Sequence, residues 1–149
     1  MSYVQSIYHV VIRTYRSQPT IPIEAERDLY AYILGFCRNH NIRLIRIGGM
    51  PDHIHLLMNL PATMSIAQVV NQLKTASSLW LKANPKFPHF AGWSSGYAGL
   101  SCGYERVATI SNYIARQKEH HIGERFADEL RKLLAEQNVE IREEYFLKD

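Results

Sequence analysis

The run Met50-Pro51-Asp52-His53-Ile54-His55-Leu56-Leu57-Met58 limits what this chain can fold into more than any other. From His53 onward it reads as a buried strand. Side chains alternate across a strand, so His53 and His55 share one face while Ile54 and Leu56 take the other. Two imidazoles side by side on a rigid strand are half of a metal site, provided a third ligand reaches them. Without that ligand they are two hydrogen-bonded strand histidines, and the rest of the chain has to decide.

The flanking sequence supplies a frame for this strand. Ser6–Tyr15 is rich in β-branched and aromatic residues and predicts a first strand. Gln18–Ile23 carries two prolines and reads as a loop. Glu24–Asn41 has helical spacing, with Leu29, Tyr32, Ile33 and Phe36 on one face. Arg43–Ile47 alternates as a second strand, and Gly48–Asp52 has the chemistry of a turn, which Asp52 would fix. The third strand is His53–Leu60. Ser65 is placed to cap a helix that runs to about Ala83, with Ile66, Val69, Val70, Leu73 and Leu79 at helical spacing. Trp93–Gly103 predicts an irregular or bulged strand. Two helices follow, over Arg106–His120 and Glu124–Gln137, and then a charged, aromatic tail from Val139 to Asp149. The order β-α-β-β-α-β predicts an α+β, ferredoxin-like antiparallel sheet with two helices on one face and two additional C-terminal helices. The other face is expected to stay free, with the histidines directed towards it.

At 149 residues, one domain spanning 1–149 is expected, large enough for a real core. No apolar run approaches a membrane span, and Met1–Arg13 lacks a signal-peptide core, so the expected location is the cytoplasm. Cys37 and Cys102 form no CxxC pattern and read as buried free thiols rather than a disulfide. The net charge of +3 permits a nucleic-acid partner without demanding one.

The second constellation is Ile110-Ser111-Asn112-Tyr113-Ile114-Ala115-Arg116-Gln117. On one continuous helix Tyr113 and Gln117 stack on the same face, beside an apolar stripe of Ile110 and Ile114. Gln117 offers an amide oxygen, a hard ligand that suits Mg²⁺ or Mn²⁺. Two histidines and an amide oxygen leave coordination positions open, as a catalytic ion requires. The plain alternatives are a packing tyrosine and an exposed helix glutamine.

Together these motifs resemble the HUH-type single-tyrosine transposases of small single-strand insertion sequences and their domesticated relatives. Gly49 to Leu57 is similar to the family's central block. Trp93 with Gly96-Tyr97 is similar to its aromatic-Gly-Tyr strand. Glu124–Ala127 and Tyr145–Leu147 are similar to its closing helix and tail. The resemblance implies that Tyr113 is the nucleophile on a DNA phosphodiester, that His53, His55 and Gln117 hold Mg²⁺ or Mn²⁺, and that a 5′-phosphotyrosine links cutting to rejoining of single-stranded DNA. It also implies hairpin-bearing element ends as partners and a homodimer with the Trp93–Gly103 segment near its seam, Tyr113 acting in cis or in trans.

Given a DNA partner, basic residues become candidates for tracking its backbone. Arg13, Arg16, Arg43 and Arg46 fall on strands expected to be neighbours. Lys74, Lys82, Lys86, Arg116 and Lys118 fall on or near the long helices. Arg116 and Lys118 flank the proposed site and, with Arg13, Arg46 and Lys74, form the DNA-binding set. His120-His121 reads as helix-terminal cations or phosphate contacts. His9 reads as a core or edge residue. Two rival functions fit the same frame: a non-catalytic nucleic-acid-binding ferredoxin-like protein, and a phosphodiesterase in which metal-bound water attacks.

Overall fold

The computed structural model describes residues 2–120 and 125–149, with the side chain of His120 left out. The expectations for His120-His121 and for a helix start at Glu124 fall outside the described residues. Four strands, β1 (Ile7–Arg13), β2 (Arg43–Met50), β3 (His53–Asn59) and β4 (Ala98–Ser101), form one sheet in the order β2-β3-β1-β4. Every neighbouring pair is antiparallel. With α1 (Glu26–Asn39) after β1 and α2 (Ile66–Lys82) after β3, this is the expected ferredoxin-like α+β plan.

Local sequence explains most of the elements. α1 starts after a 3-10 turn at Ile23–Ala25, so the predicted helix comes in two pieces. It ends near Asn41, whose φ of 57° is the left-handed conformation that asparagine tolerates. Ser65 and Gln68 close a reciprocal capping box at the start of α2, with Gln68 N–H donating to Ser65 Oγ at 3.1 Å and Ser65 N–H to Gln68 Oε1 at 2.9 Å. The apolar faces of α1 and α2 (Leu29, Ile33, Val70, Leu73) bury against Val10 and Ile12 of β1 and Ile54, Leu56 and Met58 of β3. Burying side chains of this size contributes ~1.5–3 kcal/mol each, which makes this face the main core.

The other face is not free. α3 (Val107–Ala115), α4 (Gln117–His120) and α5 (Phe126–Glu136) follow β4. Ile110 and Ile114 of α3 form a second cluster with Ile7 and Leu57 from that face. The open face is corrected accordingly: Leu57 and Ile7 need burial on the histidine side, and the C-terminal helices provide it.

Four further expectations change. Gly48 and Gly49 are not turn residues; β2 continues to Met50 and a two-residue turn at Pro51-Asp52 leads into β3. A Cβ on Gly48 would lie 2.6 Å from the Ile114 carbonyl oxygen, so the missing side chain lets α3 lie directly on β2. The predicted Arg106–His120 helix breaks at Arg116, where φ −103° and ψ 22° leave the helical range, so among the described residues it comes as α3 and α4, led in by a 3-10 turn at Tyr104–Arg106. Cys37 is buried but Cys102 is only half-buried, and both are free. Finally, β1 and β2 are not neighbours, because β3 lies between them; Arg13 and Arg16 are thus separated from Arg43 and Arg46. Among the described residues, no helix is long and apolar enough to cross a membrane.

Candidate active site

Register decides which groups meet. β1 pairs with β3 so that Arg13 faces His53, Val11 faces His55 and His9 faces Leu57. Directly paired residues project to the same side of a sheet. His9, Arg13, His53 and His55 therefore share the face that α3–α5 cover, and all four are buried.

The centre of this face is a carboxylate. Glu129, in the first turn of α5, is 1% exposed. Its Oε1 lies 3.2 Å from His53 Nε2 and 3.3 Å from His55 Nε2. Its Oε2 accepts a hydrogen bond from the Tyr113 hydroxyl and another from Gln117 Nε2 at 2.9 Å. Gln117 turns its amide oxygen to His53 Nε2, 3.2 Å away. The break at Arg116 means that Tyr113 and Gln117 do not share one continuous helix, yet both reach the same carboxylate. His53, His55 and Glu129 each offer a ligand atom within 4.8 Å of the others, so this buried group could hold a metal ion.

The outer nitrogen of each histidine is also held. His53 Nδ1 lies 2.7 Å from Asp52 Oδ1, and His55 Nδ1 lies 2.8 Å from His9 Nε2. Such contacts fix the ring and present Nε2 to the centre. Burial, and secondarily the neighbouring His55, lowers the pKa of His9 to about 3, so His9 stays neutral. Burial alone would lower His53, but its hydrogen bonds to Asp52 and Glu129 outweigh that and raise it. Burial would raise Glu129, but hydrogen bonds from His53, His55 and Tyr113 hold it far below the usual carboxylate range. Phe126 closes the inner side, its ring centroid 4.3 Å from that of His53. A pocket of about 420 Å³ between β4, α3 and α5 leads to His9, Tyr113 and Glu129 and is walled by Cys102 and Arg106.

Sequence reasoning missed Glu129 and His9. Glu129 looked like an ordinary acidic residue at a helix start, yet it sits three residues after Phe126 and four before Leu133, inside the apolar stripe of α5. A carboxylate on an apolar stripe was the available signal. His9 could have been found from strand alternation, which places it on the same side as Val11 and Arg13.

The five basic candidates are held in different ways. Arg13 sits beside the site, with Nη1 3.0 Å from Asp149 Oδ1. Lys118 donates to Glu26 Oε2 at 2.9 Å and to the Gly49 carbonyl, tying α4 to the β2–β3 hairpin and to α1. Arg46 is exposed and donates through Nε to Ser111 Oγ at 2.9 Å. Lys74 reaches from α2 to the carbonyls of Ser94, at 2.9 Å, and Gly96. Arg116 is exposed, with a loose contact of 3.9 Å to Glu119.

Comparison with known proteins places this geometry. The model of the family described as "Transposase IS200 like" matches residues 2–117. That span contains His9, Asp52, His53, His55, Tyr113 and Gln117 and stops short of Glu129. The transposases for insertion sequence element IS200 of Salmonella typhimurium and Salmonella typhi are each 28% identical to this chain over 126 residues, covering 80% of this chain and 82% of theirs. Among solved structures, a Deinococcus radiodurans protein assigned to the transposases superposes with a TM-score of 0.61 at 28% identity, over 78% of this chain and 95% of that one. A REP-associated tyrosine transposase bound to a REP hairpin shares the fold, with a TM-score of 0.62 at 11% identity, over 82% of this chain and 72% of that one. A family model spanning most of the chain, with the paired histidines and Tyr113 inside it, shows that this chain belongs to the IS200-like transposase family.

Proposed function

We propose that the protein cuts and rejoins single-stranded DNA with Tyr113 as the nucleophile. The Tyr113 oxygen forms a bond to phosphorus as the bond from phosphorus to the 3′ oxygen breaks. The 3′-hydroxyl leaves with a proton and the 5′ end stays as a phosphotyrosine. A second 3′-hydroxyl reverses the step on a new partner, so no ATP is consumed. The observation that carries this reading is the convergence on one carboxylate: both histidine Nε2 atoms lie at 3.2–3.3 Å from Glu129 Oε1, and the Tyr113 hydroxyl donates to Glu129 Oε2.

The donor set suits a hard or borderline divalent ion, Mg²⁺ or Mn²⁺, held by His53 and His55 Nε2, the Glu129 carboxylate and the Gln117 amide oxygen. When bound, such an ion offsets charge developing on the phosphoryl oxygens. The chain's own groups do the rest. Asp52 and His9 orient the two imidazoles. Glu129 accepts the hydrogen bond of the Tyr113 hydroxyl and keeps its oxygen beside them. Tyr113 acts in cis or in trans, and the pairing of its hydroxyl with Glu129 is the geometry that attack in cis requires.

The relative's REP hairpin supports hairpin-bearing ends as the partner of this chain too, with the exposed Arg116 and Arg46 as backbone contacts and the half-buried Lys74 bracing the 94–96 segment. A homodimer of single-domain subunits fits the family resemblance. The test is incubation with labelled single-stranded hairpin DNA and Mn²⁺, followed by a denaturing gel. A covalent adduct that disappears with chelator and in Tyr113→Phe is expected. Binding without cleavage would refute the reading in favour of a non-catalytic binder, and cleavage that survives Tyr113→Phe would refute it in favour of attack by water.

A further inference from the structure

We propose that Arg13, the Arg16 backbone N–H and the Ser17 and Ser95 hydroxyls form a second anion site, which takes a backbone phosphate of single-stranded DNA and which Lys148 and Asp149 occupy in the DNA-free protein. The inference rests on the DNA-strand-transfer reading and adds to it a subsite and an internal competitor.

Arg13 carries the argument. Its side chain is only 7% exposed, and a guanidinium buried so deeply is costly unless an anion answers it. The answer comes from the tail. Arg13 Nη1 lies 3.0 Å from Asp149 Oδ1, and Nη2 donates to the Lys148 carbonyl at 3.2 Å. The same Asp149 oxygen accepts the Arg16 N–H at 2.8 Å. Ser95 Oγ donates to the Lys148 carbonyl at 3.3 Å, and Ser17 Oγ accepts from Arg13 Nη1 at 3.0 Å. Arg16 and Ser17 both hold a φ of 55°, a left-handed pair uncommon away from glycine. The turn thereby aims the single Arg16 N–H at the anion, while the Tyr15, Ser17 and Gln18 N–H groups are held by other carbonyls; a backbone N–H beside an arginine fork suits a phosphate oxygen.

The position fits a DNA strand. Arg13 is directly opposite His53 in the β1–β3 register, and the side chains of such a pair start ~5 Å apart. A strand whose scissile phosphate lies at the histidines would therefore carry a neighbouring phosphate past Arg13. Asp149, with its side chain 26% exposed against 7% for Arg13, is the solvent-facing member of the pair, while the tail behind it is held to α5 by Arg131 through Glu143 and Phe146, so only its last residues need to yield. Displacement of the last residues would widen a pocket of about 360 Å³ lined by Arg13, the 94–98 segment, Phe126, Leu130 and Leu134 of α5, and the tail up to Lys148.

The experiment is fluorescence-polarisation binding of a labelled hairpin oligonucleotide with a single-stranded flank to the full chain, in chelator, so that neither metal nor cleavage enters. Asp149→Asn removes the competing charge and keeps the shape. It is expected to bind roughly tenfold more tightly than wild type, since apparent affinity falls by the fraction of protein that is competent to bind. Arg13→Gln is expected to bind more weakly, to abolish the gain when combined with Asp149→Asn, and to flatten the dependence of log K on log salt by ~0.7, the loss of one single-strand phosphate contact. Thermal melting of Asp149→Asn at or below the wild-type temperature, as expected when a buried arginine loses its carboxylate, shows that the gain is not a folding effect. Wild type and Asp149→Asn binding alike would overturn the subsite while leaving the strand-transfer reading intact. Failure of every variant to bind the oligonucleotide would overturn both.

Discussion

Gly48→Ala tests how the sheet positions the nucleophile. In an exposed strand this change should help, because alanine restricts the unfolded chain more than glycine does. Here the added Cβ would sit 2.6 Å from the Ile114 carbonyl oxygen, 3.1 Å from Ile114 Cγ2 and 3.4 Å from the Ile114 carbonyl carbon. Ordinary contact begins near 3.4 Å, so α3 must retreat by roughly 0.8 Å (3.4 minus 2.6 Å) or the strand must bend. The obstacle is backbone and cannot rotate away. Overpacking of this kind costs ~1–3 kcal/mol. For a chain of this length that is a fall of about 2–4 °C in Tm per kcal/mol. Tyr113 precedes Ile114 and must move with it, and a displacement near 1 Å can cost ~100-fold in rate. Gly35→Ala is the control. Gly35 lies inside α1 with nothing within 4 Å of its added Cβ, so that variant should gain up to ~1 kcal/mol from helix propensity. Urea denaturation of both, with the m-value held as a check on two-state behaviour, gives the comparison. If Gly48→Ala is as stable as wild type and forms adduct at the wild-type rate, the close β2–α3 contact does not position Tyr113.

Other predictions address the site and its surroundings. Glu129→Gln keeps the shape of the side chain and removes its charge; Mn²⁺ affinity, measured by titration calorimetry, should fall tenfold or more, and an unchanged affinity would remove Glu129 from the ligand set. Mixing His55→Ala with Tyr113→Phe should restore no adduct, because Tyr113 stands beside the histidines of its own chain; restoration would mean that partners exchange their tyrosine helices. Burial raises the Cys37 thiol to about 12, so a thiol reagent at neutral pH should modify the half-buried Cys102 first and Cys37 only on unfolding. Rapid modification of both in native protein would contradict the buried position of Cys37.

Much of the fold was legible because it is written locally. The alternation of His53 to Asn59 and the Ser65 cap are decided within a few residues and stand as predicted; the reciprocal bond from Gln68 completes the cap. Trp93–Gly103 was readable as an irregular strand for the same reason: it bridges to Thr14 at Trp93, turns through Gly96 at a φ of 79°, and pairs regularly only over Ala98–Ser101. What local pattern could not carry was tertiary demand. Gly48-Gly49 resembles a turn in isolation; the arrival of Ile114 of α3 over Gly48, and the close backbone of β3 at His53 and Ile54 beside Gly49, make it a strand that needs no side chains. Glu129 is the sharper case. Its spacing marks it as buried, but the partners that make burial tolerable are three side chains from β3 and α3 and one from α4. The histidine pair and the tyrosine helix were visible; the carboxylate that joins them belongs to the way α5 docks.

The account's central claim is that the histidine pair, Glu129 and Tyr113 are one reactive site. The most direct measurement is peptide mapping by mass spectrometry of the covalent adduct formed with hairpin DNA and Mn²⁺. The account predicts a single modified peptide, with the 5′-phosphate of the cleaved strand on Tyr113, and its loss in His53→Ala and His55→Ala. A nucleotide on any other tyrosine, or an adduct on Tyr113 that persists when both histidines are replaced, would contradict it.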